Sequence, residues 1–287
     1  MRQSLSYERG KTLMDKHLQG SQGVWGEVFT NRDLSYSEDA QTQGKLFEIV
    51  KVRFLESIFP KYGKMLEVGC GTAFVSLYFA KRGFTAHCLD SNQEILETAE
   101  ENFKNEKARG KFVLGDAERL PFKNNEFDVV TSFGLLEHFA NPEKAVSEMV
   151  RVTKKGGLVF ADIVPERFSV QTFGNLFNFI ATLGYWVFRG NWEKGLEKAK
   201  RNFQPLYYEN SLSWVEYKKI FSQAGLKSVQ VRGNRPFPRL TLPQTADALY
   251  AKLLKKALPL WNNFDQSDSG FARFWGAGYW LWGRKMV

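Results

Sequence analysis

Residues 64–73 read KMLEVGCGTA, an apolar run that passes through an acidic residue and breaks into two glycines one residue apart. This is the pattern of a buried parallel strand ending beneath a ligand. Glycine carries only hydrogen at Cα, so the backbone there can approach a bound group and adopt turns closed to other residues. More than any other stretch, this one calls for an open α/β sheet that binds its ligand at the carboxyl ends of the strands. A dinucleotide fingerprint, G-x-G-x-x-G, opening at Gly69 and Gly71 would need a third glycine where the chain has Phe74. A pyrophosphate cup is therefore not expected.

The flanking segments repeat the alternation such a sheet requires. An amphipathic helix pattern over 44–60 (Leu46, Phe47, Val50, Phe54, Leu55, Ile58) stops at Pro60. FTAHCLD, 84–90, is a second strand that ends in Asp90, about 20 residues past the glycines, where such sheets offer a carboxylate to ribose hydroxyls. Ser91 and Glu94 follow as an S-x-x-E capping box for the next helix. Further strands are expected in KFVLGDAERLPF (111–122), in FDVVTSF (127–133), and at the end of GLLEHFANPEKAVSEMVRVTKKGGLVFADIVP (134–165), after a helix and a Gly-Gly turn. Asp128 is read as a structural cap of the fourth strand. SLSWVEYKKIFSQAGLKSVQVRG (211–233) adds a helix capped by Ser213 and Glu216 and stopped by Gly225, then a strand; GAGYWLWGRK (276–285) supplies the last.

The motif E-x-G-x-G-x-A at 67–73, with Asp90, Asp116-Ala117 and L-P-F (120–122) following in order, resembles the class I S-adenosylmethionine-dependent methyltransferases. The branch that methylates small molecules, quinones, sterols and lipids is the most similar. The resemblance covers about residues 44–165, and more faintly 207–232 and 277–285. It implies a doubly wound, mostly parallel seven-stranded Rossmann-like sheet whose closing strand runs antiparallel, and S-adenosyl-L-methionine as cofactor. It places Glu67, Gly69, Cys70, Gly71, Asp90, Ser91, Asp116, Ala117 and Phe133 at that cofactor, with Leu120 or Phe122 over the purine. Where the family usually has a third glycine the chain has Ala73, and TKKGG stands for its L-K-P-G-G turn.

Composition bounds what else the chain can be. At 287 residues with 43% hydrophobic and 25% charged residues it is an ordinary globular sequence. Two cysteines (70 and 88) and three histidines (17, 87 and 138) give no disulfide framework and no expected metal site. The opening MRQSLSYERGKTLMDKHL has no apolar stretch or cleavage signal, so a cytoplasmic location is expected. Charge is uneven. Residues 1–165 carry 22 Lys and Arg against 23 Asp and Glu, whereas 166–287 carry 18 against 8 and seven of the eight tryptophans. The half that should select the substrate is thus basic and aromatic, suited to an anionic partner.

Four regions follow: an N-terminal arm, 1–43, with Trp25 and Phe29 as anchors; a cofactor core, 44–165; a lid insertion, 166–206; and 207–287, the end of the sheet with a second insertion at about 234–275. The lid contains an uncharged run of 21 residues, Phe168 to Phe188, long enough to span a bilayer. A single span there would put the last strands on the wrong side of the membrane from their sheet. Its polar members, Gln171, Thr172, Asn175, Asn178 and Thr182, fall opposite Phe173, Leu176, Phe177, Ile180 and Val187. It is read as a lid helix, with a membrane-surface helix as the alternative, since its flanks hold Arg167, Arg189, Lys194, Lys198, Lys200 and Arg201.

The expected reaction is methyl transfer to a small or amphiphilic acceptor, anionic or lipid-linked. It needs in-line placement and, for a hydroxyl acceptor, a base. His138 is the candidate base and Glu137 the second, with Trp186, Tyr207 and Tyr208 as substrate contacts. An RNA methyltransferase is a rival reading; the D/N-P-P-Y/F tetrapeptide of amino-methylating nucleic-acid enzymes is replaced here by TSFG. A non-catalytic cofactor-binding partner protein is the other.

Overall fold

The computed structural model describes residues 35–203 and 209–286. His17, Trp25, Phe29, Tyr207 and Tyr208, named above, lie outside them. Seven strands form one sheet in the order β3-β2-β1-β4-β5-β7-β6. They are β1 (Gly63–Val68), β2 (Phe84–Asp90), β3 (Gly110–Leu114), β4 (Phe127–Phe133), β5 (Thr153–Ile163), β6 (Leu226–Asn234) and β7 (Gly278–Lys285). β7 pairs antiparallel with both β5 and β6, and the other pairings are parallel. The doubly wound sheet with an antiparallel closing strand is the architecture expected from the sequence.

Alternation along the strands feeds two cores. In β1, Met65 joins one apolar cluster while Leu66 and Val68 join the other; in β5, Phe160 faces the first and Val159 and Ala161 the second. The first face is covered by α1 (Gln43–Ile58), α2 (Phe74–Ala80) and α3 (Gln93–Asn105), with Leu46, Leu77 and Phe103 fully buried. The second is covered by α4 (Glu143–Val152) and α7 (Trp214–Gln223), through Met149, Tyr217 and Phe221. Ser213 and Glu216 make the expected reciprocal cap of α7, and Gly225 follows that helix with φ +100°.

Two expectations change. Asn92, not Ser91, caps α3: its side chain accepts from Ile95 N at 3.2 Å while Ser91 is exposed. One residue of extra reach from the end of β2 shifts the cap, since Asp90 Oδ1 already holds Asn92 N at 3.1 Å. TKKGG is part of β5 rather than a turn before it. The register of β4 on β5 shifts between Phe127 and Val129, so the glycines absorb a bulge; a Cβ on Gly157 would lie 2.9 Å from Asp128 O. Asp128 holds Lys64 N and Lys154 Nζ, each at 2.8 Å, near the start of β4, as a structural residue should.

Both insertions leave the sheet at one edge. The first, α5 (Val170–Phe188) and α6 (Trp192–Lys200), follows the C-terminal end of β5; the second, α8 (Gln244–Lys256), α9 (Leu258–Gln266) and α10 (Gly270–Trp275), follows the C-terminal end of β6. β6 and β5 run parallel, each antiparallel to β7, so these ends lie on the same side as the ends of β1, β2 and β4.

Candidate active site

The turn after β1 is held in conformations that only small residues tolerate. Gly69 has φ +66° and Gly71 φ +52°, and a Cβ on Gly69 would stand 2.9 Å from the Leu135 side chain. Ala73, where a third glycine is usual, also lies in the left-handed region at φ 55°, ψ 34°. The preference for glycine there is thus a backbone requirement, which this chain meets at a cost of about 1 kcal/mol.

Asp90 closes β2 with its carboxylate under this turn: Oδ2 accepts from Gly71 N at 3.0 Å and Oδ1 from Asn92 N at 3.1 Å. Burial pushes its pKa up, opposed by these backbone donors. Each oxygen keeps a lone pair, so the group is fixed in orientation and able to accept from two neighbouring hydroxyls. Beside it, Leu114 is the partner of Asp90 across β2 and β3 and is 56% exposed, an apolar face next to that carboxylate. Asp116 follows at the surface, its Oδ1 taking Glu118 N at 2.8 Å, and Ala117 is buried behind it. A ribose, an amine-bearing ring and an apolar purine face match this set, so the residues fit S-adenosylmethionine.

Other residues named from the sequence do different work. Glu67 is 3% exposed, and its Oε2 accepts from Ser76 N at 2.9 Å, bracing the start of α2; burial raises its pKa to about 7. Cys70 is buried, its thiol pushed up by a hydrogen bond with Cys88 and by burial, so it offers the site only backbone. Ser91, no longer the cap, sits exposed beside Asp90. Trp186 lies near the far end of α5, its ring under Lys194 Nζ and Lys198 Nζ at 4.4 and 5.0 Å, and packs on α6.

Beyond β4, a short 3-10 turn, Leu136–His138, carries both base candidates. Glu137 is 1% exposed, its Oε1 accepting from Val164 N at 2.9 Å, and burial lifts its pKa to about 8. The bond to Val164 N braces the start of the first insertion. His138 is half-buried on the same turn. Asn210 clamps that turn: its Nδ2 donates to Leu136 O at 3.1 Å and Phe139 O at 2.9 Å, and its own N–H reaches Glu137 O at 2.6 Å.

A polar group at the ends of β4 and β5 went unread. Lys51 of α1 places Nζ 3.0 Å from Glu48, 3.9 Å from Asp162 Oδ2 and 4.9 Å over the ring of Phe133. Asp162, 4% exposed at its side chain, also accepts from Asn234 Nδ2 at 3.0 Å and Arg235 Nη2 at 3.1 Å. These residues come from four separate segments, so no local pattern joins them. The one signal was an aspartate inside the otherwise apolar run LVFADIV.

Comparison with known proteins places this geometry. Residues 66–161 match the family described as "Methyltransferase domain". Demethylmenaquinone methyltransferase of Leptospira interrogans is 38% identical over 113 residues, 37% of this chain and 45% of that one. The ubiquinone/menaquinone biosynthesis C-methyltransferase of Ruegeria sp. is 34% identical over 142 residues, 47% and 55%. The chain spans about half the length of these curated relatives. A solved S-adenosylmethionine-dependent methyltransferase from Thermotoga maritima superposes with a TM-score of 0.51 at 18% identity, over 83% of this chain and 88% of that one, a likeness of fold. Over residues 66–161 the chain thus matches a methyltransferase domain, and its sheet shares the fold of that solved S-adenosylmethionine-dependent methyltransferase.

Proposed function

We propose that this protein transfers the methyl group of S-adenosylmethionine to a small amphiphilic acceptor of quinone or lipid-linked type. The observation that carries the reading is the Asp90 carboxylate, held by the N–H groups of Gly71 and Asn92 beside exposed Leu114. The names of the similar enzymes, which concern quinone methylation, support the acceptor class. Bound there, the cofactor supplies an activated methyl on a sulfonium.

The protein's part is alignment. Asp90 fixes the ribose, Asp116 and the Ala117 N–H select the adenine, and the Gly69–Gly71 turn makes close approach possible. Phe133, at the end of β4, and the Lys51–Asp162 pair beside it form an acceptor wall that is apolar on one side and charged on the other. That suits a ring bearing oxygens. His138, carried on the turn fixed by Asn210, takes the proton released by a hydroxyl acceptor. Membrane-resident acceptors fit the basic and aromatic second half of the chain.

The test is transfer of labelled methyl from S-adenosylmethionine into an extract of source cells, separated into lipid, aqueous small-molecule and nucleic-acid fractions. Label in the lipid fraction is expected. Label in RNA overturns the acceptor class, and tight cofactor binding without label anywhere overturns catalysis. In the same assay His138→Ala should lower turnover far more than cofactor affinity; unchanged turnover removes it as the base.

A further inference from the structure

α5 is amphipathic in the reverse of the usual sense. Its side toward the protein carries Gly174, Asn175 and Asn178, while Phe173, Leu176, Phe177, Ile180 and Val187, on the other side, are each 45–60% exposed. A lid helix would turn those residues inward. The helix is pinned the other way: Asn178 Oδ1 accepts from Thr241 N at 2.7 Å, Gln171 Oε1 from Arg239 N at 2.8 Å, and a Cβ on Gly174 would lie 2.7 Å from Pro238. Rolling it to hide the apolar stripe would strip these bonds and drive Gly174 off its close contact with Pro238.

The stripe runs on into the second insertion. Phe168 lies 5.7 Å from Phe173 and 5.8 Å from Phe274, and Trp275 lies 5.6 Å from Phe173 and 6.1 Å from Phe271, between ring centroids. Phe271 and Phe274 are themselves 63% and 55% exposed. A continuous apolar face drawn from two insertions marks an interaction surface. Its rim is cationic. Arg189 stacks 4.6 Å over Tyr185, Lys194 and Lys198 stand over Trp186, and 167–203 hold six Lys and Arg against two Glu.

We propose that this face docks on a lipid bilayer bearing anionic headgroups, with α5 lying in the plane of the interface. The apolar stripe enters the acyl boundary, and the tyrosine, tryptophans and lysines at the α5–α6 end sit at headgroup depth, where aromatic rings and cations are favoured. Charge complementarity selects this occupant. No helix among the described residues is long and apolar enough to cross a membrane, so the contact lies along the surface. Both insertions leave the edge that holds the cofactor turn, so docking would bring that edge to a membrane-resident acceptor. That link rests on the proposed function, whereas the docking itself does not.

The test is flotation of the full chain with phosphatidylcholine vesicles, with and without about 30% phosphatidylglycerol. At least about tenfold enrichment on the anionic vesicles is expected, reduced by high salt. Phe177→Asp with Ile180→Asp should lower it about tenfold, with unchanged thermal unfolding and cofactor affinity as controls of the fold. Lys194→Glu with Lys198→Glu should remove the salt-sensitive part. Failure of the full chain to float overturns the proposal, as does a double aspartate variant that floats equally well. So does sedimentation in which that variant turns a dimer into a monomer, because a second copy then covers the face. Deletion of residues 1–34 that creates vesicle binding absent from the full chain would assign the face to that segment. A chain that floats but transfers no methyl would strike the proposed function alone.

Discussion

The cofactor core and helix α5 of the first insertion bury side chains by opposite rules. Between α1 and β5, the apolar periodicity of the sequence predicts the inward face, and Leu46, Leu66, Val68 and Met149 are buried as patterned. In α5 the periodicity is just as clean, yet its apolar face points outward and its asparagines and glutamine point in. Periodicity therefore reports that a helix has two faces; it does not report which face meets the protein. That is settled by the partner. The strands offer the core helices an apolar surface, whereas α5 rests on the loop at 238–241, whose backbone N–H and C=O groups need hydrogen-bond partners.

The contrast can be broken most forcefully in the core. Gly69→Val forces a β-branched residue to φ +66° and into Leu135, and a loss of about 4 kcal/mol or outright failure to fold is expected on urea unfolding. Asp90→Ala should weaken S-adenosylmethionine binding by about 100-fold in calorimetry, the scale of a charge-assisted pair of hydrogen bonds; a change within about threefold would remove Asp90 from the site. Glu137 gives a pH signature. Its folded pKa of about 8 lies above the ordinary carboxyl value of 4.5, so its contribution to stability is complete below about 4.5 and disappears as pH rises through 8. Thermal unfolding should accordingly fall between pH 5 and 8, and Glu137→Gln should flatten part of that slope; Glu67 and Glu209, both raised to about 7 mainly by burial, add to it with the same sign.

The smaller effects sharpen the comparison within α5. Asn178→Ala leaves Thr241 N without its acceptor and should cost about 1–2 kcal/mol in urea unfolding. Ile180→Gln, on the outward face, should change stability by less than about 0.5 kcal/mol in the same measurement. A helix packed as a conventional lid would reverse the order of these two.

Much of the fold was legible because strand–turn–helix units carry local signals: capping boxes, glycines at positive φ, apolar strands ending in a carboxylate. The cap at Asn92 was misplaced by one residue because Ser91 and Asn92 are both good caps, and only the bond from Asp90 to Asn92 N decides between them. Gly156–Gly157 reads as a turn in sequence because Gly-Gly signals turn and bulge alike, and strand pairing alone tells them apart. At the site, the residues strung along β1, β2 and β3 were readable in order. Lys51, Asp162, Asn210 and Arg235 were not, since their meeting depends on where α1, β5 and the end of β6 converge.

By itself the sequence determined the sheet, its cofactor edge and the existence of two insertions, because hydrophobic period, turn chemistry and spacing act over a few residues. Only the tertiary structure decided which face of α5 is turned to solvent, that Glu137 is buried with its pKa pushed up, and that Lys51 lies against Asp162 and Phe133. Those outcomes depend on desolvation and hydrogen-bond partners supplied by segments far away in the chain, so no local pattern could carry them.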